Sequence, residues 1–387
     1  MNNWQEVKLG KVCIQITDGV HNSVKDDKNG EFYLLSCKNI KNGNVSIGTK
    51  ERKISKETLE NLRRRTRTAK GDILLSSVGT IGETALIKEI NPPYEFQRSV
   101  AIFKPNLKFI TSEFLYYCLN NKKKILQYSA EGAVQQCLFI NPLKEFKISL
   151  PPLEVQKQIA SVLSTLDSKI ELNNAINNNL EQQAQAIIQE HILNIEAIAP
   201  IDEFCNVFTG RKNANEFDKG GVNKFFTCGP DPLTINSFIY DGPAVIISGN
   251  GAYTGRTRFY NGKFDLYQRT YACTLKEQNN YIYLLYPLLK MVLEKKLMGG
   301  THGSAIPYIV MNDVAKFEVP FSKEIFDKLS PICKVIVDKI QINEMENEKL
   351  AQLRDTLLPK LMSGEIDVSK VNVDDLVSVD KLSFTEK

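Results

Sequence analysis

The sequence predicts a mixed α/β (α+β) chain in which two similar globular domains are separated by long helices. Two observations carry this prediction. The segment "FQRSVAIFKP" at 96–105 returns 171 positions later as "YQRTYACTLK" at 267–276. After each copy the chain enters a long pattern of polar and apolar residues with helical spacing, from 151 and from 326. The length of 387 residues is enough for two domains with cores of their own.

The repeat extends beyond these two segments. "GDILLSSVGTIGETALI", which begins at Gly71, faces "GPAVIISGNGAYTGRTRFY", which begins at Gly242, and residues 131–151 face residues 302–320. Three residues match within the last pair of segments: Gly132 with Gly303, Asn141 with Asn312, and Phe146 with Phe317. Before residue 71 the copies lose register, because the first copy carries additional residues.

Each copy mixes strand and helix patterns. "GDILLS", "TALIKEI" and "RSVAIFKP" between 71 and 105 are rich in apolar and β-branched residues, which is typical of strands. "SEFLYYCLNNKKKILQYSA" at 112–130 has a helical pattern, as does its counterpart at 279–300, where we expect Pro287 to kink the helix. Strands and helices around a single core are therefore predicted in each copy.

The two long helices carry matching seams, with residues recurring at alternate steps of four and three. The first seam is Ile159, Leu163, Leu166, Ile170, Asn173, Asn177 and Leu180. A shift of 170 positions gives the second seam, which includes Leu329, Ile336, Ile340, Asn343, Asn347, Leu350 and Leu357. Asparagine at the same two positions of both seams sets register at a cost in stability. We therefore expect two helices of about 60 Å that pair as an antiparallel coiled coil, a pseudo-twofold repeat, rather than packing separately on their own domains.

These patterns divide the chain into five segments. The globular domains are 1–150 and 196–321, the helices are 151–195 and 322–364, and an acidic tail, either disordered or covered by a partner, follows at 365–387. Residues 1–150 hold 24 Lys and Arg against 15 Asp and Glu, whereas residues 151–195 hold 2 against 5 and residues 321–387 hold 10 against 13. This asymmetry predicts a polyanion partner for part of the surface and protein partners for the rest.

Composition excludes several classes of protein. The sequence is 42% hydrophobic and 24% charged, as in an ordinary globular protein, and no apolar run approaches the roughly 20 residues of a membrane span. With no signal pattern at the N-terminus, a cytoplasmic location is expected. Eight scattered cysteines without a C-x-x-C pair, together with only three histidines, predict reduced, buried thiols and no metal site.

Several segments resemble one family, the specificity subunits of type I restriction-modification systems. "PPLEVQKQIASVLSTLDSKI" at 151–170 and "LRDTLLPKLMSGEIDV" at 353–368 are similar to its conserved helical regions. "TDGVHNS" at 17–23, the strand with "QRSVAI" and the two-copy layout agree with the resemblance. It implies that each globular segment is a target-recognition domain that reads one half of a split double-stranded DNA sequence. The helices would set the gap between the halves and dock two methyltransferase (modification) subunits.

The same resemblance implies a chain without catalysis or a cofactor of its own. S-adenosylmethionine would enter with the modification subunits, which methylate adenine. ATP and magnesium would likewise belong to partner subunits, since restriction subunits add ATP-driven translocation and cleavage.

Charge and position on loops indicate the candidate DNA contacts. The cluster "LRRRTR" predicts phosphate contacts by Arg63, Arg64, Arg65 and Arg67, against the alternative of a solvated face. Glycine-rich loops of the second domain offer Arg211, Lys212, Asn250, Tyr253, Arg256 and Arg258, although a plain turn is an equal alternative for any one of them. His21 and His302 lie in small polar loops without a nucleophile and base arrangement, which favours a DNA contact or a loop hydrogen bond over catalysis.

The repeated Gln-Arg pair could reach DNA bases. The pair is Gln97 and Arg98 in the first copy, and Gln268 and Arg269 in the second. Two domains that read different half-sites should differ at base-reading positions, however, so identity in both copies favours a shared backbone contact or structural bond.

One motif favours an enzyme instead. "NPPY" at 91–94 is the tetrapeptide with which amino-methyltransferases hold a target amine, and "ISGNG" at 247–251 faintly resembles a cofactor loop. The repeat argues against both assignments, because "NPPYEFQR" faces "NGKFDLYQR" and each is expected to be a turn between strands. A self-sufficient adenine methyltransferase is therefore the alternative function, and a scaffold whose domains bind protein is the third hypothesis.

Overall fold

The computed structural model describes residues 4–130, 136–298, 300, 302 and 306–372. The chain divides into two compact units, 1–170 with 349–387 and 171–348. These boundaries fall inside the two long helices, whereas the predicted segments end where the helices end. The sequence match of Gly132 with Gly303, and the end of the predicted tail, lie outside the described residues.

The first unit contains a globular body of short strands. Its strands in the described residues are β1 (Gln5–Lys8), β2 (Cys13–Asp18), β3 (Phe32–Leu35), β4 (Ile40–Lys41), β5 (Asn44–Val45), β6 (Arg52–Ile54), β7 (Ile73–Ser76), β8 (Thr84–Leu86), β9 (Tyr94–Phe96), β10 (Val100–Pro105) and β11 (Lys147–Leu150). Its helices are α1 (Leu9–Val12), α2 (Lys56–Thr66), α3 (Ser112–Asn121), α4 (Lys123–Tyr128) and α5 (Ile140–Glu145), followed by the first long helix, α6 (Leu153–His191).

The second unit contains fewer and longer strands. They are β12 (Ile198–Pro200), β13 (Cys205–Thr209), β14 (Asn223–Phe226), β15 (Leu233–Ile235), β16 (Tyr240–Ser248), β17 (Thr257–Leu266), β18 (Thr270–Leu275) and β19 (Glu318–Pro320) in the described residues. The helices are α7 (Ile201–Phe204), α8 (Tyr281–Leu297) and α9 (Met311–Ala315), and the second long helix is α10 (Lys323–Ser363). Short 3-10 turns occur at Cys37–Asn39, Gly251–Tyr253 and Val368–Lys370.

The two globular bodies share one strand order, which confirms the predicted repeat. In the second body six strands form a single sheet in the order β13-β18-β16-β17-β14-β15. In the first body the same order appears in two sheets, β2-β10-β7-β8 and β9-β3-β6. Strands β8 and β9 of the first body therefore correspond to successive parts of the single strand β17. The predicted mixed α/β fold class is confirmed.

The residues between β8 and β9 are the place where the bodies differ most. In the first body the chain leaves the sheet after Leu86 and returns at Tyr94, so "NPPY" lies at the end of this excursion, as predicted. The prediction of a matching turn in the second body is wrong, because β17 runs straight through Asn261 and Gly262. Strand β16 pairs along that whole stretch, with Gly242 opposite Gly262, and this pairing keeps the backbone extended.

The helical segments differ from prediction in one detail. The single helix expected at 112–130 is broken at Lys122 into α3 and α4. Its counterpart α8 is one helix that contains Pro287. Residues 281–289 of α8 are all buried, and this packing offsets the hydrogen bond that proline cannot donate.

The strands show that the two copies align at an offset of 170 in this part of the sheet. In β10, Ala101 and Phe103 face the core that contains the helices, while Ile102 faces the opposite side of the sheet. In β18, Tyr271 and Cys273 face the corresponding core. Since side chains alternate between the faces of a strand, the offset of 171 read from the sequence would place matched residues on opposite faces.

The turn before these strands shows the same shift. Val100 N–H donates to Gln97 O at 3.1 Å, and Thr270 N–H donates to Tyr267 O at 2.9 Å. Gln97 therefore corresponds to Tyr267 rather than to Gln268. The pairing of Gln97 with Gln268 and of Arg98 with Arg269 is wrong by one residue, whereas the predicted match of Phe146 with Phe317 is confirmed. Leu9 N–H donates to Phe146 O as Ile201 N–H does to Phe317 O, at 2.9 and 3.0 Å.

The long helices pack against one another through both seams, as predicted. Within the second unit, Asn173 Nδ2 donates to Asn347 Oδ1 at 3.0 Å, and Asn343 Nδ2 donates to Asn177 Oδ1 at 2.7 Å. Because the lower number on one helix pairs with the higher number on the other, the helices run antiparallel there. Ala184 packs with Ile336 and Ile340 in the same seam.

In the first unit the opposite ends of the same helices meet. Ile159 and Leu163 of α6 share a core with Leu361 of α10, and Arg354 Nη1 donates to Asp167 Oδ1 at 2.8 Å. Other seam residues are fully buried, namely Leu166 and Leu350, while Leu329 is buried in the second unit. Ile170, Leu180 and Leu357 are half-buried. Residues 365–372 of the predicted tail fold back, since Val368 is buried in the first core.

Candidate nucleic-acid interface

An open cleft of about 1130 Å³ lies on the first globular body. Four of the predicted DNA contacts line it, namely His21, Arg65, Gln97 and Arg98. Residues of helix α5 and of the segment before it form another wall, with Phe139 and Lys144 among them. The sequence-predicted residues of this body thus converge on one concave surface, although they are up to 77 positions apart in the chain.

The cleft exists because two segments cross closely at Gly19. A Cβ added at Gly19 would lie 2.0 Å from Phe96 O, so no other residue fits there. Next to this crossing, Val20 N–H donates to Phe96 O at 2.8 Å and Arg98 N–H donates to Val20 O at 2.9 Å. The "TDGVHNS" segment and the Gln-Arg turn are therefore held side by side by backbone hydrogen bonds.

A small hydrogen-bond network orients two side chains of the cleft. Asp18 lies between them: its Oδ2 is 2.6 Å from His21 Nε2, and its Oδ1 accepts a hydrogen bond from Arg65 Nη2. Both partners are about half exposed, so the His21 ring and the Arg65 guanidinium remain accessible from the cleft. An aspartate of this kind fixes where a cation points while leaving some of its donors free.

The arginine cluster does not form one common surface. Arg63, Arg64 and Arg65 lie in the last turn of α2, and Arg67 follows as its C-cap in the left-handed region, with φ of 46°. Arg63 turns inward, with Nε 3.4 Å from Glu95 Oε1, and Arg65 turns to the cleft. Arg64 and Arg67 are exposed. Helical spacing of 100° per residue spreads neighbouring side chains around the axis, so the three consecutive arginines of α2 cannot share one face.

Glu95 is an acidic group buried beneath this helix. Its side chain has no exposed surface, and Oε2 accepts hydrogen bonds from Thr66 Oγ1 and Thr68 Oγ1, both at 2.8 Å. Burial raises the pKa of Glu95 above its ordinary value, although the hydroxyls and Arg63 oppose that shift. Glu95 therefore anchors the C-terminal end of α2, from which Arg64 and Arg67 project.

The second body presents a comparable surface built on its 248–258 segment. Tyr253 is exposed, and the Arg256 guanidinium lies 5.4 Å from the centre of its ring. Arg256 Nη1 also donates to Pro230 O at 2.9 Å. Arg258 is partly buried and donates from Nη2 to Gly229 O at 2.7 Å, so its role in this structure is to hold the 229–230 loop. Burial lowers the pKa of Arg258.

An aromatic group lies beside the turn of the second body. The Arg269 guanidinium is 6.0 Å from the centre of the Tyr308 ring. The His302 ring stacks on the same tyrosine ring, with the two ring centres 5.2 Å apart. His302 Nε2 is 3.3 Å from Asp313 Oδ2. Asn250 forms a β-bridge with Tyr308, which brings the 248–258 segment to the same place. Asn250, Arg269 and His302 thus converge around Tyr308.

The remaining predicted contacts of this body follow Gly210. A Cβ there would lie 1.7 Å from Leu266 O, so Gly210 repeats the close crossing seen at Gly19. Gln268 N–H donates to Lys212 O at 2.9 Å, and Gln268 Nε2 donates to Asn213 Oδ1 at 3.2 Å. Arg211 is exposed and Lys212 is half-buried.

The geometry does not place "NPPY" in a catalytic site. Tyr94 is 3% exposed and packs in the core on the outer face of the sheet, and its hydroxyl donates to Glu89 O at 3.2 Å. Burial raises the pKa of Tyr94 to about 12. A tyrosine that holds a target amine must face a pocket, whereas this one is enclosed by its own domain.

Sequence reasoning missed several residues of these surfaces. Asp18 stands in the quoted "TDGVHNS" segment, and its acidity next to His21 was the available signal. Phe139, Lys144 and Tyr308 carry no local pattern, because only the folded sheet brings them to the turn.

Comparison with known proteins places this fold in a family. The family model described as "Type I restriction modification DNA specificity domain" matches residues 1–182 and 197–352. The two matches coincide with the two copies of the repeat. In the described residues, no helix combines the length and the apolar character that a membrane crossing requires.

Individual relatives agree with the family match. The EcoDI type I restriction enzyme specificity subunit of Escherichia coli is 32% identical over 174 residues, which is 43% of this chain and 37% of that protein. The MjaIX specificity subunit of Methanocaldococcus jannaschii is 24% identical over 394 residues, 90% of each chain. A crystal structure of a type I restriction-modification system S subunit from M. genitalium has a TM-score of 0.61 at 18% identity, over 93% of this chain and 97% of the other.

Proposed function

This chain belongs to the type I restriction-modification DNA specificity family, and from that premise we propose that its two globular bodies each read one half of a bipartite DNA target. Members of this family are the specificity component of the restriction-modification complex rather than its catalyst. The observation that carries the proposal is the repeat itself: one strand order occurs twice, with a cationic surface at the same turn of each body.

The proposed contacts fall into two kinds. Exposed arginines outside the concave surfaces, such as Arg64 and Arg67, would bind phosphates and supply affinity without sequence preference. Side chains around the turns and at Tyr253 would approach base edges, where arginine, asparagine and glutamine distinguish bases by their donor and acceptor patterns. Arg63 and Arg258 would stabilise the fold rather than contact DNA, because both interact with groups inside their own domain.

The paired helices are proposed to fix the gap between the two half-sites and to dock two modification subunits. Two hydrogen-bonded asparagine pairs support a single register, since a slip would leave buried amides without partners. Large apolar side chains remain exposed on the helices for a partner to cover: Leu172, Ile332, Val335, Ile342 and Met345.

Cofactors are proposed to belong to the partner subunits. S-adenosylmethionine would be held by the modification subunits, and ATP and magnesium by restriction subunits that join the same complex. A DNA target and these partners favour the cytoplasm as the compartment. The methyltransferase alternative lacks support, because Tyr94 is enclosed in the core.

Methylation mapping tests the proposed function. The chain is expressed with modification subunits that assemble with it, in a host free of adenine methylation, and methylated adenines are located by sequencing. We expect one bipartite motif with a constant gap. Methylation at continuous or unrelated sequences, or the same motif without this chain, would refute the proposal.

A further inference from the structure

The Gln-Arg turns of the two bodies occupy the same place in the fold. In the first body, Gln97 N–H donates to Leu35 O at 2.8 Å, and Ser77 N–H donates to Ser99 O at 2.9 Å. In the second body, Tyr267 N–H donates to Phe226 O at 3.0 Å, and Gly249 N–H donates to Arg269 O at 2.9 Å. Strand order makes the partners equivalent as well, since Leu35 ends β3 and Phe226 ends β14.

Two more hydrogen bonds complete the match. Arg98 N–H donates to Val20 O as Gln268 N–H donates to Lys212 O, both at 2.9 Å, and each turn is closed by the bond from its fourth residue to its first. The backbone of the turn is thus held from three sides in both bodies. Its two central residues are Arg98 and Ser99 in the first body, and Gln268 and Arg269 in the second.

The Gln-Arg pairs of the two turns are therefore not at equivalent positions, because they are offset from each other by one residue. At the first central position the bodies carry Arg98 and Gln268, and at the second they carry Ser99 and Arg269. These pairs differ in the property that distinguishes bases, because arginine donates two hydrogen bonds to guanine whereas glutamine both donates to and accepts from adenine. The two turns therefore differ at equivalent positions, as two domains that read different half-sites should.

The surroundings leave one central side chain available to contact a base in the first body and two in the second. Ser99 Oγ accepts from Cys37 N–H at 3.1 Å, which points its hydroxyl into the domain, while Arg98 is exposed on the cleft. Gln268 and Arg269 are both exposed, and Arg269 lies against Tyr308. Side chains on a rigid turn need little ordering to meet a base edge.

We propose that the first central position of this turn, Arg98 in one body and Gln268 in the other, is a specificity-determining position that reads one base in each half-site. Arg98 selects guanine and Gln268 selects adenine, with Arg269 as a second reader beside Gln268. This inference rests on the proposed function, in which each body reads one half of the target.

The test is an exchange of the two side chains. The complex of the full chain with its modification subunits is prepared as wild type, as Arg98→Gln and as Gln268→Arg. Binding is measured by competition on duplexes in which every position of the motif is varied in turn. We expect Arg98→Gln to change the preferred base at one position of one half-site from guanine to adenine, by about 10- to 100-fold in relative affinity. We expect Gln268→Arg to make the reverse change in the other half-site only.

Arg64→Gln is the matched control, since Arg64 is an exposed arginine of the same body away from the turn. It is expected to weaken binding to all duplexes alike. If Arg98→Gln behaves like this control and keeps the wild-type order of preference at every position, the turn contacts only the backbone and the proposal is overturned. A change of preference in both half-sites would overturn it as well.

A failure of the proposed function can be distinguished from a failure of the inference about the turn. If the wild-type complex showed no bipartite preference, the proposed function itself would fail before any variant was compared. Both side chains are exposed, and the substitutions retain the backbone bonds of the turns, although Gln268→Arg removes the hydrogen bond from Gln268 to Asn213. Equal melting temperatures of the three complexes would show that folding is intact.

Discussion

Asn343 Nδ2 donates a hydrogen bond of 2.7 Å to Asn177 Oδ1 across the two long helices, at positions that are 1% and 8% exposed. The Asn343 amide oxygen is itself buried without a hydrogen-bond partner. Such a pair contributes to the choice of register more than to stability, because two facing leucines would bury more apolar surface at no polar cost.

Replacing one asparagine should therefore cost more than replacing both. We expect Asn177→Leu to lower the free energy of unfolding by about 1–3 kcal/mol, since it leaves the Asn343 amide without a partner. The double variant with Asn343→Leu should recover most of this loss. Urea unfolding followed by circular dichroism measures both, with exposed Asn178→Leu as control. A double variant less stable than either single variant would contradict the expectation.

Glu95 should make stability depend on pH above pH 4.5. Burial raises its pKa in the folded protein above the ordinary value of 4.5, so the folded state holds a proton more tightly than the unfolded state. This contribution is fully present below pH 4.5 and is lost as pH rises through the folded-state pKa.

The variant Glu95→Gln removes that group and should flatten the dependence. Urea unfolding of the wild type and of the variant between pH 4.5 and pH 7.5 gives the comparison. We expect the stability of the wild type relative to the variant to fall as pH rises. The opposite slope would show that Arg63 and the two threonines dominate and hold the Glu95 pKa down.

Arg64 and Arg63 should affect DNA binding differently, although they are neighbours. Arg64 is exposed and is proposed to contact a phosphate, so Arg64→Ala should reduce the slope of log affinity against log salt by about 0.9. Arg63→Ala should instead lower stability, because it leaves the buried Glu95 carboxylate without its cation. Anisotropy titrations of the assembled complex at several salt concentrations separate the two. An unchanged slope for Arg64→Ala would remove it from the interface.

Tyr94→Phe should leave methylation by the complex unchanged. The hydroxyl makes one hydrogen bond, to Glu89 O, and its loss should cost about 1 kcal/mol of stability. The isolated chain is also expected not to bind S-adenosylmethionine in calorimetric titration. Saturable binding that Asn91→Ala abolishes would restore the methyltransferase alternative.

Local patterns predicted the parts of the molecule that depend on periodicity. The heptad spacing indicated both seams, and Asn173 and Asn347 form a pair between the helices that carry them. Gly19 and Gly210 show where local patterns fail. A Cβ added at Gly19 would lie 2.0 Å from a carbonyl oxygen of a distant segment, and one added at Gly210 would lie 1.7 Å from another, yet nothing in the neighbouring residues reveals this. Such crossings join segments far apart in the chain.

A repeat of two mixed α/β bodies with paired helices is predictable from the sequence alone, because apolar periodicity is a property of neighbouring residues. How the two copies correspond depends instead on strand pairing in the folded sheet. Gln97 matches Gln268 by letter, yet strand pairing equates Gln97 with Tyr267, since a strand shifted by one residue turns every side chain to the other face. The tertiary structure also sets which arginines have an acidic partner within the domain, because Glu95 and Asp18 reach Arg63 and Arg65 only after the sheet has formed.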